Sequence, residues 1–415
     1  MPTTRSTARA NASANGARHA SDDLKRDLAA RRERLVALRR HFHQHPELAM
    51  QEHETAARIA QELRQTGLEV REGVGGTGVV GLLRGTAPGA ADGKTLLVRA
   101  DIDALPVAEQ TGAAYASRVP GRMHACGHDG HIAIGLVLAD LLHARRDSLR
   151  GAVKFVFQPA EEQVLGANAM VADGVLRDPA PDAAIGLHLW STGQVGQVSV
   201  QAGPVFASAD SLTLRVRGRG GHGAMPHQNV DTVLAAAQIL VAAQSLVSRE
   251  IAPFNPAVVS FGMIHGGTAG NIVPDVVELG GTVRAFAAAD RDHLLRRLAE
   301  LASSVAGAMR ATAELEVGSG TGACVNDPAI TALVRRAAVA ALGEAGIAPG
   351  DGRQTPSDDM SVFLDAVPGC YFFVGAGNPA RGITAPHHSS HFEIDEDALT
   401  IGAEVLARAA LEYLA

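Results

Sequence analysis

Along this chain the spacing of apolar positions changes period twice, and each change marks a boundary. A helix is predicted to open at Ser21. That serine can cap it, Asp22 and Asp23 suit the positive end of its dipole, and Leu24, Leu28, Leu35 and Leu38 recur at helical spacing until Pro46. A second helix fits 52–66 and stops at Gly67. Apolar, strand-like runs follow at Val79–Leu83, Leu96–Ala100, Val153–Phe157 and Ala183–Leu189, with a helical stretch over His131–Leu142. Solidly apolar strands alternating with helices predict a sheet covered on both faces.

After Gly203 the pattern becomes half-exposed. Residues 211–217 alternate apolar and polar, a helix fits 230–247, strands fit 257–264 and 275–286, a helix fits 289–309 and a last strand fits 312–317. The order β-α-β-β-α-β is the ferredoxin-like arrangement. From about 320 the first pattern resumes. The expected fold is α/β, a central mixed sheet flanked by helices, interrupted by a ferredoxin-like α+β insertion. The boundaries expected are a disordered tail over 1–20, a main domain over 21–204 and 319–415, and the insertion over 205–318.

Composition narrows the function. A net charge of −7 argues against nucleic acid, which needs a basic patch to neutralise phosphate. The three cysteines, Cys126, Cys324 and Cys370, make no disulfide framework and point to a reducing, cytoplasmic setting. No apolar run is expected to reach the length of a membrane span, and residues 1–20 lack the apolar centre of a secretion signal.

Four segments carry chemistry. In Met123–His131, Cys126 and His128 stand two apart around Gly127, on one side of an extended segment, with Asp129 able to cap a following helix. Alone, this is equally a buried structural cysteine with surface histidines. Glu161 and Glu162 follow the apolar run Val153–Phe157; in an extended segment they point opposite ways, one free to bind metal. Alone, they are equally a solvated pair. His188 lies inside an apolar strand, where a hydrogen-bonded core histidine is the plainer reading. His387, His388 and His391 crowd one segment near the C-terminus. Together, a thiolate, imidazoles and carboxylates suit zinc, manganese, cobalt or nickel rather than calcium or magnesium.

These motifs resemble the aminoacylase/carboxypeptidase family of dinuclear metallopeptidases, and most of all its amidohydrolase branch of hippurate, auxin-conjugate and N-acyl-amino-acid hydrolases. The resemblance runs from about residue 30 to the end, through RRHFHQHPEL at 39–48, RADIDALP at 99–106, MHACGHDGH at 123–131, QPAEE at 158–162, GLHLW at 186–190, GRGGHGAMPH at 218–227, GGTAGNIVP at 266–274, GTVRAF at 281–286 and HHSSHFEIDE at 387–396. It implies a metal-dependent amidohydrolase of linear amides, with two divalent transition-metal ions per subunit held by Cys126, His128, Glu162, His188 and His388. Glu161 would be general base and acid toward a water bridging the metals, and Asp103 would orient a ligand or Glu161. The insertion would be a lid and dimerisation domain. Its His222 would stabilise an oxyanion in a partner's site, Asn271 and Arg284 would bind the substrate's α-carboxylate, and His227 would line the site. The implied partners are a small-molecule amide and a second copy in a homodimer or higher homo-oligomer, with no nucleic acid and no membrane. His41, His43 and His45 read as structural or solvated. Two departures stand out. Pro356-Ser357-Asp358-Asp359-Met360 replaces the family's G-S/A-E-D-F, and His388-Ser389-Ser390 replaces H-S/N-P, so that His387 and His391 compete with the favoured His388. A dipeptidase or carboxypeptidase is the alternative, with Asp358 or Asp359 meeting a free ammonium.

Overall fold

The computed structural model describes residues 4–415, with side chains from Asp22 onward. The first helix, α1, spans Thr4–Gln44. Its backbone is therefore helical across 4–20, where a disordered tail was expected, and Ser21 lies inside the helix rather than capping it. Residues 4–20 are Ala- and Arg-rich and lack proline, which favours helix. Residues 1–3 of that expected tail lie outside the described residues.

The chain divides into two compact units. The first takes the chain up to Gly203, Asn326–Gly352 and Val362–Ala415; the second takes Pro204–Val325 and Arg353–Ser361. After α1 the first unit continues with α2 (His53–Thr66), β1 (Glu69–Val74), β2 (Gly78–Arg84), β3 (Lys94–Asp101), α3 (His128–His143), β4 (Gly151–Gln158), α4 (Gly166–Ala172), β5 (Ala183–Gln194) and β6 (Val198–Ser199). The short β7 (Gly203–Phe206) follows. The second unit holds β8 (Ala209–Arg217), β9 (Gly221–His222), α5 (Thr232–Ser245), β10 (Ala257–His265), β11 (Ile272–Val273), β12 (Val276–Ala285), α6 (Ala288–Ala308) and β13 (Thr312–Thr321). Then come β14 (Cys324–Asn326), α7 (Pro328–Leu342), α8 (Met360–Ala366), β15 (Gly369–Gly377) and α9 (Asp397–Tyr413).

The first unit is built on a mixed sheet in the order β1-β2-β4-β3-β5-β15-β6. Its central strands β4, β3, β5 and β15 run parallel, and the outer pairs are antiparallel. β4 is buried along its whole length, as its apolar run predicted, and so is β15, for which no strand was predicted. The edge strand β1 is mostly exposed and charged, so no apolar signal announced it. Helix α3 is apolar all round and buried nearly throughout, because it lies inside the core cluster with α1, α2 and α9. Gly67, in the left-handed conformation at φ 96°, ends α2 as expected.

The second unit has a four-stranded antiparallel sheet in the order β10-β12-β8-β13. With α5 and α6 this is the ferredoxin-like order that the alternation predicted. Leu214, Leu279, Ala236, Ile239 and Ala302 form its core. Thr232–Glu250 proves long and apolar enough to cross a membrane by length and composition, contrary to expectation, but Ala235, Ile239, Ala243 and Leu246 from this stretch are buried in the unit.

Candidate metal centre and active site

Strands β3, β4 and β5 end close together. Asp101 faces Gln158 across β3/β4, and Arg99 faces Gly186 across β3/β5. Carboxyl ends of parallel strands are where open α/β sheets bind ligands. Asp103 follows β3, Glu161 and Glu162 follow β4, and His188 lies midway along β5, two residues beyond its pairing with β3. Four groups of ligand atoms gather here, the atoms of each within 4.8 Å of one another: Asp101, His128 and His131; His128, Glu161 and Glu162; and two that share a sulfur, Cys126, His128 and His188, and Cys126, Glu162 and His388. Cys126 belongs to both, so its sulfur stands between two potential cation positions.

The local backbone differs from the extended segments expected. Gly127 turns at φ 94°, so the stretch from Cys126 to His128 is bent, and α3 begins at His128 with Gly127 rather than Asp129 in the cap position. Asp129 instead pairs with Arg39 Nε and His43 Nδ1, each at 2.8 Å. His43 is thus buried and structural, reaching Glu109 at 3.2 Å on its other nitrogen. Ala160 has φ 52°, and the chain turns immediately after β4. Glu161 and Glu162 therefore do not diverge: an oxygen of each lies 3.9 Å from His128 Nε2.

Asp103 organises this cluster. Its two carboxylate oxygens accept the backbone N–H groups of Glu161 and Glu162, both at 3.1 Å. Its backbone carbonyl accepts His128 Nδ1–H at 2.9 Å. His128 Nε2 is thereby left as a bare lone pair, buried and without a hydrogen-bond partner, as is Glu162 Oε1. Buried polar atoms without partners are costly. Here the two face each other across 3.9 Å, too far for a hydrogen bond and open to an ion between them. Glu162 Oε2 lies 3.4 Å from His388 Nε2. His388 is held at φ 64°, a strained value for a non-glycine residue, while its backbone N–H donates to Ala125 O at 2.8 Å. Of its competitors, His391 is exposed and bonds Ser390 Oγ, and His387 lies in none of these groups.

The electrostatics call for a cation. Burial pushes the Cys126 thiol well up, and Glu162, Glu161 and Asp101 push it further. Burial works against a charged His128, but Asp101 and Asp103 outweigh it and carry the ring up to about 10. The same anionic field that would protonate this imidazole favours a divalent ion in the proton's place. Burial, with His131 and His387 nearby, holds His188 well below the usual imidazole range, so its ring is neutral and can coordinate. The residues fit two transition ions: thiolate and imidazole donors, orphaned buried lone pairs, and an excess of negative charge.

Sequence reasoning overlooked Asp101. It stands two residues before Asp103, on the same side by strand alternation, and that period was the available signal. Its oxygens accept His131 Nδ1–H at 2.5 Å and Arg99 Nη1–H at 2.6 Å. Burial would raise its pKa, but Arg99, His128 and His131 hold it well below the usual carboxylate range. His131 in turn accepts the backbone N–H of Leu189 at 2.9 Å, which steadies the strand beside His188. Glu52 was overlooked as well. It accepts Ala160 N–H at 2.9 Å and Thr77 Oγ1–H at 2.5 Å, bracing the turn that bears Glu161.

The other expected residues lie in the second unit. His222 on β9 pairs with Ile272 on β11, and Gly223 N–H donates to Asn271 O at 2.8 Å, so His222 and Asn271 are neighbours. Both are exposed, as is His227 in the adjacent turn. His222 Nδ1 accepts Ala224 N–H at 3.0 Å. Arg284 is half-buried and donates to Thr355 O at 3.3 Å. It does not join Asn271. The β9/β11 pairing continues the β8/β12 ladder beyond Val276, and Val276 and Arg284 alone are roughly 27 Å apart at ~3.4 Å per residue. Within one copy Asn271 and Arg284 therefore stand well apart along the sheet.

A sulfur, imidazoles and carboxylates converging at strand ends, with a carboxylate to spare, form the donor chemistry of a metal-dependent hydrolase. Residues 97–412 match the model of Peptidase family M20/M25/M40, and the chain belongs to that family. It is an enzyme, a hydrolase acting on amides. The chain is 38% identical to N-acetyl-L-cysteine deacetylase of Bacillus subtilis over 389 residues, 94% of this chain and 90% of that protein. It is 37% identical to thermostable carboxypeptidase 1 of Saccharolobus solfataricus over 398 residues, 94% of this chain and 98% of that one. Among solved structures, a dinuclear metal-binding M20 peptidase of Bacillus subtilis superposes with a TM-score of 0.79 at 33% identity, covering 93% of this chain and 99% of its own.

Proposed function

We propose that this enzyme cleaves the amide bond of N-acyl amino acids, hippurate-like or bearing N-acetyl or aryl-acyl groups, to a carboxylic acid and a free amino acid. One observation carries the reading. Glu161 belongs to neither group built on Cys126, although its oxygen gathers with His128 and Glu162 in a third, and its Oε2 lies 3.9 Å from His128 Nε2. With Cys126, His128, Glu162, His188 and His388 as the ligands, Glu161 is the carboxylate left beside the cluster, the position of a general base. Two divalent ions bound to Cys126, His128, Glu162, His188 and His388 would supply Lewis acidity to the scissile carbonyl and a more acidic water. Glu161 takes a proton from the attacking water and returns it to the leaving nitrogen. Asp103 steadies Glu161 through its backbone N–H.

His222 serves as the oxyanion donor: with Nδ1 accepting Ala224 N–H, Nε2–H is the group left to donate. Asn271 and Arg284 bind the α-carboxylate, drawn from different copies of a homodimer because one copy holds them apart. Arg284 offers the carboxylate a planar fork, and His227 lines the site. A cytoplasmic setting accords with three buried cysteines, none of them in a disulfide.

A dipeptidase or carboxypeptidase is the second reading. The carboxypeptidase name of one relative favours it, as do the buried Asp358 and Asp359, which can meet a free ammonium. Turnover of an N-acetyl amino acid against the dipeptide with the same C-terminal residue, on metal-reconstituted enzyme, separates the two. We expect higher kcat/KM for the N-acetyl substrate. Preference for the free-amine dipeptide replaces the first reading with the second, and turnover of neither rejects both.

A further inference from the structure

His387 sits against the metal cluster without belonging to it. We infer that His387 donates an N–H···S hydrogen bond to the Cys126 sulfur and so weakens the thiolate's donation to the bound ions, making it a positioning residue and not a ligand. The inference rests on the proposed reading of Cys126 as a shared metal-binding thiolate.

The proton's position follows from one neighbour. The backbone N–H of Ser191, on β5, approaches His387 Nε2 at 3.1 Å. A backbone N–H only donates, so Nε2 is the accepting nitrogen, and a neutral imidazole then carries its proton on Nδ1. Nδ1 lies 3.8 Å from Cys126 Sγ, within reach of an N–H···S bond. For Nδ1 to bind a metal instead, its proton would have to move to Nε2, setting two donors head to head at Ser191. The ring has little freedom to swing away. It packs in tilted contact against Trp190, with centroids 4.5 Å apart, and Phe392, 5.1 Å apart. His188 meets it edge-on at 5.2 Å. His388, one residue on, faces Glu162 instead.

Hydrogen bonds to a coordinating sulfur stabilise its lone pairs and reduce the charge it passes to the metal. The ions keep more Lewis acidity than an unbonded thiolate would leave them, and Cys126 stays bound without quenching them.

The test uses the full chain loaded with cobalt(II), whose thiolate-to-metal charge-transfer band reports on the sulfur lone pairs. Metal content and the band's energy are measured in the wild type, His387→Leu, His387→Asn and His387→Gln. We expect every variant to retain the wild-type metal content. The band should move to lower energy in His387→Leu and return toward the wild-type position in His387→Asn, whose amide can stand where Nδ1–H stands. His387→Gln offers its amide at the far nitrogen's position and should stay shifted. If the leucine variant does not fold, the asparagine–glutamine contrast decides, and equal bands in those two overturn the inference. Loss of a metal equivalent in His387→Leu would make His387 a ligand and overturn it too. An unmoved band in loaded variants defeats this inference alone, whereas no such band in the wild type removes Cys126 from the ligand set and defeats the reading beneath it.

Discussion

At the scale of single residues, Asp103 does the most organising. With two carboxylate oxygens and one carbonyl it orients the backbones of Glu161 and Glu162 and the ring of His128. Asp103→Asn replaces one acceptor by a donor facing a backbone N–H. It should weaken metal affinity ~10–100-fold, read by competition with a chelating dye; affinity equal to wild type would remove the residue from this role. Glu161→Gln keeps size and loses the exchangeable charge. Metal content should be unchanged while kcat falls by about 10²–10⁴. Unaltered kcat would show that another group moves the proton.

At the scale of elements, the N-terminus of α3 decides where the first imidazole points. Gly127 adopts φ 94°, and a Cβ there would meet nothing nearer than Leu189 Cβ at 3.6 Å. Gly127→Ala therefore costs conformation rather than space, about 1–2 kcal/mol of stability in a denaturation midpoint. In the first turn of α3, Asp129 ties the helix to α1 through Arg39 and His43. Burial opposes the charge on His43, but its bonds to Asp129 and Glu109 outweigh it and raise its pKa. A group raised in the folded state stabilises fully below its unfolded value near 6.5 and loses that contribution as pH climbs through the folded value. Unfolding free energy should fall as pH rises above ~6.5, and His43→Gln should abolish that share of the slope. A variant with the wild-type slope would assign it elsewhere.

At the scale of the whole molecule, the two units carry different halves of the proposed chemistry. If His222 acts in a partner's site, mixing Glu161→Gln with His222→Ala should restore part of the activity through mixed dimers. No recovery after demonstrated subunit exchange would exclude action in trans. Chelation should speed hydrogen exchange at the ends of β3, β4 and β5, where like charges lose their counter-ions, and leave the core of the second unit unchanged.

Much of this was legible in the chain itself. Strands β3, β4 and β5 showed through because burial on both faces demands unbroken apolar runs, and the β-α-β-β-α-β order showed through its change of period. The donor types and their motifs pointed to the family. Other features depend on contacts that no local pattern encodes. The left-handed turns at Gly127 and Ala160 bring Cys126 beside His128 and make Glu161 and Glu162 converge. That His388 faces Glu162, that His387 meets Ser191 N–H, and that Asn271 lies far along the sheet from Arg284 all depend on neighbours remote in sequence. Residue chemistry and periodicity are written in the chain; which lone pair meets which neighbour is decided only when packing brings separate segments within a few ångströms.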